Sequence, residues 1–307
     1  MKTTDLDFVQ ANTNGVLHAA ADPSLSPLNR GFLYGDAVYE VWRSYHGRIF
    51  AWERHWNRLQ ASAHSIHLEI PWSESVLLTA IKSTAEAFRV NSAYVGELYI
   101  RLQIYRGEGP IGLNAELADQ SGFVVLVKPV PQLSAATIKM GLSLIVAQSI
   151  RRNPPQSLDP AWKTGNYLNN IMGLREATAR GADDVVFLNL AGEITEASTS
   201  NLAFIKGDLL VTPPLDSGIL AGVTRATVLQ EVGRRAGLKV AERTIIPNDL
   251  VAFEEAMLLS TTKDIQPVGQ IDGHRYRVGE NATLWRLKTA FETYASESPV
   301  GHPELSV

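Results

Sequence analysis

The sequence predicts an α+β fold with two domains. Three observations support this prediction: a length of 307 residues, alternating strand-like and helix-like hydrophobic patterns, and one proline-containing boundary at residues 128–134. A chain of this length is long enough for two domains. We therefore place a linker at residues 129–135, between a small N-terminal domain at 1–128 and a larger mixed domain at 136–307.

The first domain opens with a hairpin and a helix. Residues 37–45 alternate between apolar and polar side chains, the chain reverses at His46 and Gly47, and residues 48–50 resume the strand pattern. Apolar side chains at helical spacing then predict a helix at residues 52–66. The remaining predicted elements of this domain are a helix at 73–88 and strands at 94–105 and 123–127.

The second domain interleaves strands and helices. Glycines follow two helical patterns, at Gly181 and Gly237, and a glycine after the last helical residue is typical of a helix end. The predicted strands cover residues 138–146, 184–189, 202–205 and 257–259, with a reversal at 191–193. The predicted helices cover residues 167–180, 224–236 and 281–294.

Composition excludes several classes of protein. The formal net charge is −4 and no basic block occurs, so we expect no nucleic-acid partner. The N-terminus lacks an apolar signal segment, and no apolar run approaches the length of a membrane span, so we expect a soluble cytoplasmic protein. Cysteine is absent, and His64 and His67 have helical spacing but no acidic partner. We therefore expect no metal site.

Three groups of residues, in order along the chain, suggest a cofactor. Lys163 precedes a predicted helix, Glu196 follows a predicted turn, and Gly222 opens another predicted helix. An amine, a carboxylate and the backbone amides of a helix start are the groups that hold pyridoxal phosphate. Each alone has an ordinary alternative: an exposed loop lysine, a surface glutamate, or a capped helix that binds no anion.

Other side chains fit the same cofactor. Thr224 is predicted as the N-cap of the helix that Gly222 precedes. Ser260 and Thr261 end an apolar strand with hydroxyls and amides that could bind a phosphate. Arg58 could bind the phosphate with two nitrogens or lie along its helix as a surface side chain. Tyr167 could orient the cofactor or belong to the core.

Together these segments resemble the class IV, or fold type IV, pyridoxal phosphate-dependent aminotransferases. The resemblance extends from residues 29–40 to residues 264–268. It implies an α+β fold type IV enzyme with a smaller N-terminal α/β domain, a larger mixed C-terminal domain, and the cofactor between them. The cofactor-binding residues that it implies are Arg58, Lys163, Tyr167, Glu196, Leu220, Gly222, Val223, Thr224, Ser260 and Thr261.

The resemblance also implies a catalytic role for Lys163. This lysine would form a Schiff base with the cofactor and carry the proton between the substrate and the cofactor. The implied reaction is ping-pong transamination, in which an amino acid gives its amino group to the cofactor and a 2-oxo acid then receives it.

The motifs divide between two subfamilies. Residues 30–32 and 35–41 resemble the D-amino acid aminotransferases, but the loop at 107–114 lacks their Arg-x-His carboxylate site. The branched-chain enzymes carry a Tyr-x-Arg pair followed by a glycine-rich loop, and Tyr99 and Arg101 match that pair. Arg43 also matches an arginine of their strand motif.

We favour a transaminase for branched-chain or aliphatic L-amino acids with 2-oxoglutarate as acceptor. The substrate-binding residues implied are Tyr39, Val41, Arg43, Tyr99, Arg101, Thr261 and Thr262. Two of them depart from the branched-chain pattern, because Val41 replaces a glycine and Thr262 replaces a small alanine. A valine beside the substrate side chain would narrow or reshape one pocket.

Three alternatives stay open at this point. The first is a D-amino acid or (R)-amine transaminase, and the second is an aminodeoxychorismate lyase with the same cofactor site. The third is a non-catalytic protein that binds a phosphate or a vitamin. The resemblance further implies a homodimer in which the 107–114 loop lies near the partner's active site.

Overall fold

The computed structural model describes residues 8–118, 120–132, 134–279, 281–298 and 302–307. They form two compact units. The first contains the residues up to Pro131, the segment Trp162–Asn166 and the residues from Ala295 onwards, and the second contains Gln132–Ala161 and Tyr167–Tyr294. The predicted α+β class with two domains is confirmed. Among the described residues, no helix has both the length and the apolar character that a membrane span requires.

The first unit contains an antiparallel sheet with six described strands. Their bounds are β1 Gln10–Thr13, β2 Val16–Ala19, β3 Ala37–Tyr45, β4 Arg48–Ile49, β5 Leu98–Tyr105 and β6 Gly122–Pro129. Their order is β2-β1-β6-β5-β3-β4, and neighbouring strands are antiparallel. The predicted hairpin of β3 and β4 is confirmed.

The first unit also contains three described helices, of which the second and third pack against one face of the sheet. Their bounds are α1 Arg30–Tyr34, α2 Trp52–Ser65 and α3 Glu74–Ser92. The apolar side of α2, with Trp56 and Leu59, packs with Trp42 and Ile100 of the sheet in one core. The side chain of Ser73 accepts a hydrogen bond from the backbone of residue 76 and so caps α3. The core therefore lies on the helix side of the sheet, and the other face is available for polar chemistry.

The second unit contains a mixed sheet. Its described strands are β7 Leu142–Val146, β8 Asp184–Leu188, β9 Ile194–Ala197, β10 Asn201–Lys206, β11 Leu209–Thr212, β12 Lys239–Glu242, β13 Glu255–Ser260, β14 Asp264–Ile271 and β15 His274–Arg275. Along the order β12-β11-β10-β13-β14-β7-β8-β9, the last strand pairs again with β10 through Glu196 and Asn201. This pairing closes a ring of strands around an apolar core that includes Phe204 and Leu258.

The other described helices follow in chain order. They are α4 Ala135–Met140, α5 Pro155–Leu158, α6 Leu168–Ala179, α7 Val223–Thr227, α8 Gly233–Arg235 and α9 Thr283–Glu297. A π-helical turn, Val228–Val232, joins α7 to α8, so that the helical run is continuous from Val223 to Arg235. Short 3-10 turns occupy Ala115–Leu117, Leu215–Ser217, Pro247–Ala252 and Pro303–Leu305.

Several local predictions differ from the structure, and the strand predicted at 94–105 begins only at Leu98. The predicted strand at 138–146 is helical as far as Met140, because Ser134 caps α4 and Gly141, with φ of 72°, ends it. Strand β9 was not predicted, because only a reversal was expected between the strands on either side of it. Thr224 is not an N-cap, since Gly222 holds that position and Thr224 lies inside the first turn.

Candidate active site

Lys163 belongs to a short segment that runs along β3. Its carbonyl oxygen accepts a hydrogen bond of 3.0 Å from the backbone N–H of Tyr39, and Gly165 N–H donates to the carbonyl of Ala37 at 3.0 Å. The hydroxyl of Ser62, on α2, accepts a bond of 3.1 Å from the backbone N–H of Lys163. The lysine backbone is therefore fixed by both a strand and a helix.

The side chain of Lys163 lies against Tyr39. Its Nζ is 3.4 Å from the hydroxyl of Tyr39 and 4.5 Å from the centre of the ring. The lysine is half-buried, whereas most lysines are exposed. This placement contradicts the alternative of an ordinary exposed loop lysine and puts the amine beside an aromatic ring and a hydroxyl.

The predicted substrate-binding residues of the first unit share one face of the sheet. Tyr39, Val41 and Arg43 point to the same side because side chains alternate along a strand. Val41 pairs with Arg101, and Arg43 pairs with Tyr99, and directly paired residues of antiparallel strands point to the same side. This face is opposite the one that packs against α2 and α3.

Arg101 completes this polar face. The carbon centre of its guanidinium lies 3.8 Å from the ring centre of Tyr39, in cation–π contact. Its Nη2 donates to the side-chain oxygen of Gln103 at 2.8 Å, and Gln103 pairs with Tyr39 across the strands. We did not predict Gln103, although its position two residues after Arg101 in a strand places it on the same face.

Arg58 binds a buried carboxylate, Glu40. Its Nε and Nη2 donate to the two oxygens of Glu40 at 2.6 and 2.8 Å, and Nδ1 of His55 lies 2.8 Å from Oε2. Burial alone would raise the pKa of Glu40, but the charge and hydrogen bonds of Arg58, with those of His55, hold it well below its usual range. Burial lowers the pKa of His55 against the opposing effect of Glu40. The sequence indicated neither Glu40 nor His55.

Glu196 is held by donors in the second unit. It lies in β9 and is 5% exposed. Its Oε1 accepts a hydrogen bond of 2.9 Å from Nε of Arg152, and Nη2 of Arg152 lies 2.9 Å from the same oxygen in an ion pair. Its Oε2 accepts from Nδ2 of Asn201 at 3.2 Å and from the backbone N–H of Leu220 at 3.1 Å. Glu196 is therefore a buried, paired carboxylate, which contradicts the alternative of a surface glutamate.

Asn201 links Glu196 to the glycine turn. Besides Glu196, its Nδ2 donates to the carbonyl of Leu220 at 3.0 Å. A Cβ atom at Gly222 would lie only 1.9 Å from Oδ1 of Asn201, so this close approach requires glycine. The structure thus brings Glu196 together with Leu220 and Gly222, which belong to a second sequence motif, the glycine turn at 220–225.

The remaining predicted residues of this unit occupy the starts and ends of elements. Val223 and Thr224 are buried in the first turn of α7, and α7 packs against β13. Ser260 ends β13, and Thr261 and Thr262 follow it in a half-buried turn. Tyr167, also half-buried, immediately precedes α6.

The donor set has the chemistry that pyridoxal phosphate requires. Lys163 supplies an amine, Glu196 a buried carboxylate, and the start of α7 a set of helix N-terminal amides beside a buried hydroxyl, Thr224. Gly222 cannot carry a side chain where it contacts Asn201, so the turn before this helix keeps its close packing. The residues present therefore fit the cofactor.

Comparison with known sequences gives the class of the protein. The sequence model of the family described as "Amino-transferase class IV" matches residues 37–271. The chain therefore belongs to the class IV aminotransferases, which are pyridoxal phosphate-dependent enzymes. The prediction of an enzyme of this class, rather than a non-catalytic binding protein, is confirmed.

Individual relatives carry two different activity names. A protein of Methanocaldococcus jannaschii named as a putative branched-chain-amino-acid aminotransferase is 32% identical over 270 residues, which cover 87% of this chain and 90% of the relative. A D-alanine aminotransferase of Listeria innocua is 31% identical over 268 residues, covering 86% and 88%.

A solved structure shows the same fold over nearly the whole chain. The branched-chain aminotransferase of Thermoproteus uzoniensis with norvaline superimposes with a TM-score of 0.85 at 27% identity, covering 97% of this chain and 98% of that one. The fold type IV architecture is therefore confirmed.

Proposed function

We propose that this transaminase moves an amino group between a branched-chain or aliphatic L-amino acid and a 2-oxo acid such as 2-oxoglutarate, by a ping-pong mechanism. One observation carries the proposal: the amine of Lys163 contacts Tyr39 on the sheet face that also holds Arg43, Tyr99 and Arg101. The amine of Lys163 thus lies on the same sheet face as cations and hydroxyls that suit a carboxylate.

The cofactor would be held by residues of both units. In the proposed set, Lys163 binds its aldehyde carbon, Glu196 pairs with its ring nitrogen, and Val223 and Thr224 donate to its phosphate. When bound, the cofactor supplies an electron-accepting ring that weakens the bonds at the substrate Cα. The other proposed contacts are those of Arg58, Tyr167, Leu220, Gly222, Ser260 and Thr261.

Lys163 would move the proton. A free lysine amine at the substrate Cα first takes the proton from that carbon and then returns it at the cofactor side, acting as general base and then as general acid. Tyr39 lies within 3.4 Å of Nζ and holds the amine on the sheet face during these steps. The half-buried position limits the contact of the amine with bulk water.

In this proposal Arg58 also binds the phosphate of the cofactor. Its bidentate contact with Glu40 fixes the plane of the guanidinium. A guanidinium has five N–H donors in a rigid fork, so that a guanidinium fixed on one side can present donors to a phosphate on another.

The substrate side favours a carboxylate-bearing compound. Arg43 and Arg101 bring two cations to one face, and the hydroxyl of Tyr99 lies on the same face. Val41, directly opposite Arg101 and two residues before Arg43 on the same strand face, adds an apolar branched surface that suits an aliphatic side chain. Thr262 would form a further part of the substrate site from the second unit.

The absorbance spectrum of the purified protein with pyridoxal phosphate tests the proposal. We expect a long-wavelength band of lysine-bound cofactor that disappears with L-leucine and persists with D-alanine. Lys163→Ala should abolish the band, whereas Lys139→Ala, at an exposed position, should retain it. Loss of the band with D-alanine alone would overturn the choice of an L-amino acid, and an intact band in Lys163→Ala would remove the role of Lys163.

A D-amino acid transaminase is the second candidate. The relative from Listeria innocua carries that activity name at nearly the same identity as the branched-chain relative. The loop at 107–114 favours the L-amino acid because it lacks an arginine–histidine pair. The comparison of L-leucine with D-alanine distinguishes these candidates directly.

The lyase and (R)-amine alternatives need their own substrates. Release of pyruvate from aminodeoxychorismate without any oxo acid would identify a lyase, since a transaminase requires an acceptor for the amino group. Turnover of an amine that lacks a carboxylate would show that Arg43 and Arg101 do not select the substrate.

A further inference from the structure

We propose that Arg152 is a positioning residue that holds Glu196 as an oriented carboxylate for the ring nitrogen of the cofactor. Arg152 is 9% exposed and directs both Nε and Nη2 to the same oxygen of Glu196, each at 2.9 Å. The inference rests on the proposed contact between Glu196 and the cofactor, and it assigns a role to a residue that the sequence motifs did not indicate.

Arg152 is itself fixed by a buried network. Its backbone N–H donates to the carbonyl of Leu188 at 2.8 Å. Its Nη1 lies 3.4 Å from the side-chain oxygens of Asn169 and Asn170, both in α6, and Asn170 donates to the carbonyl of Ser198 at 2.7 Å. The guanidinium is therefore placed by β8, α6 and the chain that follows β9.

The second oxygen of Glu196 is held independently of the first. Nδ2 of Asn201 and the N–H of Leu220 both donate to Oε2. With Arg152 at Oε1, donors fix both ends of the carboxylate, and its plane follows from their positions. A carboxylate that charge-assisted hydrogen bonds already hold in place loses no conformational freedom when a partner binds. It therefore binds that partner more tightly than a carboxylate that must be ordered on binding.

The charge of Arg152 also decides where a shared proton lies. A proton between Glu196 and a ring nitrogen lies closer to Arg152 when it is on the carboxylate than when it is on the ring. Coulomb repulsion falls with distance, so the guanidinium disfavours the protonated carboxylate more than the protonated ring. Arg152 thus favours the ring nitrogen in its charged form, the form in which the ring accepts electrons best.

Four variants test this role: Arg152→Gln, Arg152→Lys, Glu196→Gln, and the double variant with both glutamines. The measurements are the absorbance of bound cofactor as a function of pH, and kcat and KM separately. We expect Arg152→Gln to lower kcat/KM by about 10-fold to 100-fold, the range known for groups that orient a metal ligand. Its spectrum should shift in the same direction as that of Glu196→Gln, and Arg152→Lys should restore part of the change.

The double variant separates positioning from general stability. If Arg152 acts through Glu196, adding Arg152→Gln to Glu196→Gln should change the spectrum no further, because residues that act as a unit are not additive. The double variant also avoids a buried charge without its partner. Arg151→Gln, at the exposed neighbouring position, should behave as the parent protein.

A cofactor analogue with carbon in place of the ring nitrogen gives a second control. Bound to this analogue, Arg152→Gln and the parent protein should have the same spectrum at every pH, since no ring proton is present to respond. A spectral difference between them would overturn the proposal.

The outcomes distinguish the inference from the proposed function. If Glu196→Gln changes the pH dependence of the spectrum but Arg152→Gln does not, the role of Arg152 is wrong and that of Glu196 stands. If Glu196→Gln leaves the spectrum unchanged, the proposed contact with the ring nitrogen is wrong, and the role of Arg152 falls with it.

Discussion

At the scale of single residues, the cluster of Glu40, His55 and Arg58 determines how the first unit responds to substitution and to pH. Glu40 is fully buried and accepts two bonds from Arg58 and one from His55. Because carboxylates only accept, Nδ1 of His55 carries the proton that it donates to Glu40. The lowered pKa of His55 then leaves its ring neutral at physiological pH.

We predict that Glu40→Gln destabilises the protein by about 3 kcal/mol, because it removes the buried negative charge that pairs with the guanidinium of Arg58. Denaturant unfolding followed by tryptophan fluorescence measures the change. Glu53→Gln, an exposed substitution in the first turn of α2, is the matched control and should cost less than about 1 kcal/mol. Equal losses in the two variants would show that the buried ion pair contributes no more to the free energy of unfolding than an exposed carboxylate does.

The pH dependence of stability should follow His55. Its pKa in the folded protein is lowered from the ordinary value of 6.5, so the unfolded chain binds a proton first as the pH falls. Stability is then fully present above pH 6.5 and declines below it, down to the lowered pKa. The low pKa of Glu40 acts in the same direction at more acidic pH, where protonation of its carboxylate removes stability.

His55→Gln tests this assignment. The variant should lose most of the slope of unfolding free energy against pH just below 6.5, because the group that titrates differently in the two states is gone. His64→Gln, an exposed histidine of the same helix, should keep the slope. An unchanged slope in His55→Gln would assign the acid sensitivity to another group.

Sequence patterns identified side chains with local signals and missed their partners. Lys163 and Glu196 stand in recognisable motifs, and the structure places both in contacts that fit the predicted chemistry. Gln103, His55 and Arg152 could not be identified in the same way. His55 and Arg152 depend on contacts with residues distant in sequence and have no local sequence signal. Gln103 had one signal, its spacing of two residues from Arg101 on a strand, and that spacing alone does not indicate a role.

At the scale of elements, one buried carboxylate fixes the last long helix. Glu255 is fully buried in β13 and accepts bonds from the backbone N–H groups of Thr283 and Leu284 at 2.9 and 2.7 Å. These are N–H groups of the first turn of α9, which have no partner inside the helix. Arg277 also donates to Glu255, at 2.6 and 3.0 Å, and offsets the cost of burying the charge.

We predict that Glu255→Gln destabilises the protein by about 2 kcal/mol, because hydrogen bonds to a charged acceptor are among the stronger ones. Glu254→Gln is the matched control, since its carboxylate is 47% exposed and also contacts Arg277. The control should cost less than about 1 kcal/mol. Denaturation midpoints of both variants measure the difference, and a larger loss in Glu254→Gln would refute the capping role.

The predictions succeeded for elements with a long hydrophobic pattern and failed where local contacts determine the backbone conformation. Helix α2 and the β3–β4 hairpin matched their patterns closely. The helix after Gly222 was predicted as uniform, but Gly233 N–H donates to the carbonyl of Val228, five residues earlier, and forms a π-helical turn. Strand β9 is only four residues long, too short for an alternating pattern to be distinctive.

At the scale of the whole molecule, chain order and spatial order differ. Lys163 lies in the segment Trp162–Asn166, which belongs to the first compact unit although the chain on both sides of it belongs to the second. The composition of this segment does not indicate that it belongs to a different unit from the chain on either side of it. The predicted linker at 129–135 lies at one crossing of the chain between the units, and the two crossings around Trp162–Asn166 follow from long-range pairing of that segment with β3. A fourth crossing precedes Ala295.

The prediction that the protein forms a dimer rests on the loop at 107–114. The guanidinium of Arg30 is buried and donates to the carbonyls of Gly112 and Leu113 at 2.7 and 3.2 Å, which fixes the second half of the loop. Ile111 and Leu113 are nevertheless 76% and 81% exposed, as is Phe32 at 73%. A fixed loop that presents apolar side chains to water is typical of a protein–protein contact, and we propose that a second copy of the chain covers it.

We predict that the protein is a dimer in solution and that Ile111→Asp with Leu113→Asp weakens it, because charges replace the apolar surface that the second copy would cover. Light scattering after size-exclusion chromatography should show a dimer for the parent protein and a monomer, or a dimer that dissociates on dilution, for the variant. Val95→Asp is the matched control, since Val95 is 94% exposed outside this loop. If the transamination activity of the variant falls together with its dimer fraction, the loop also supports the active site. A parent protein that is monomeric at all concentrations would refute the proposed dimer.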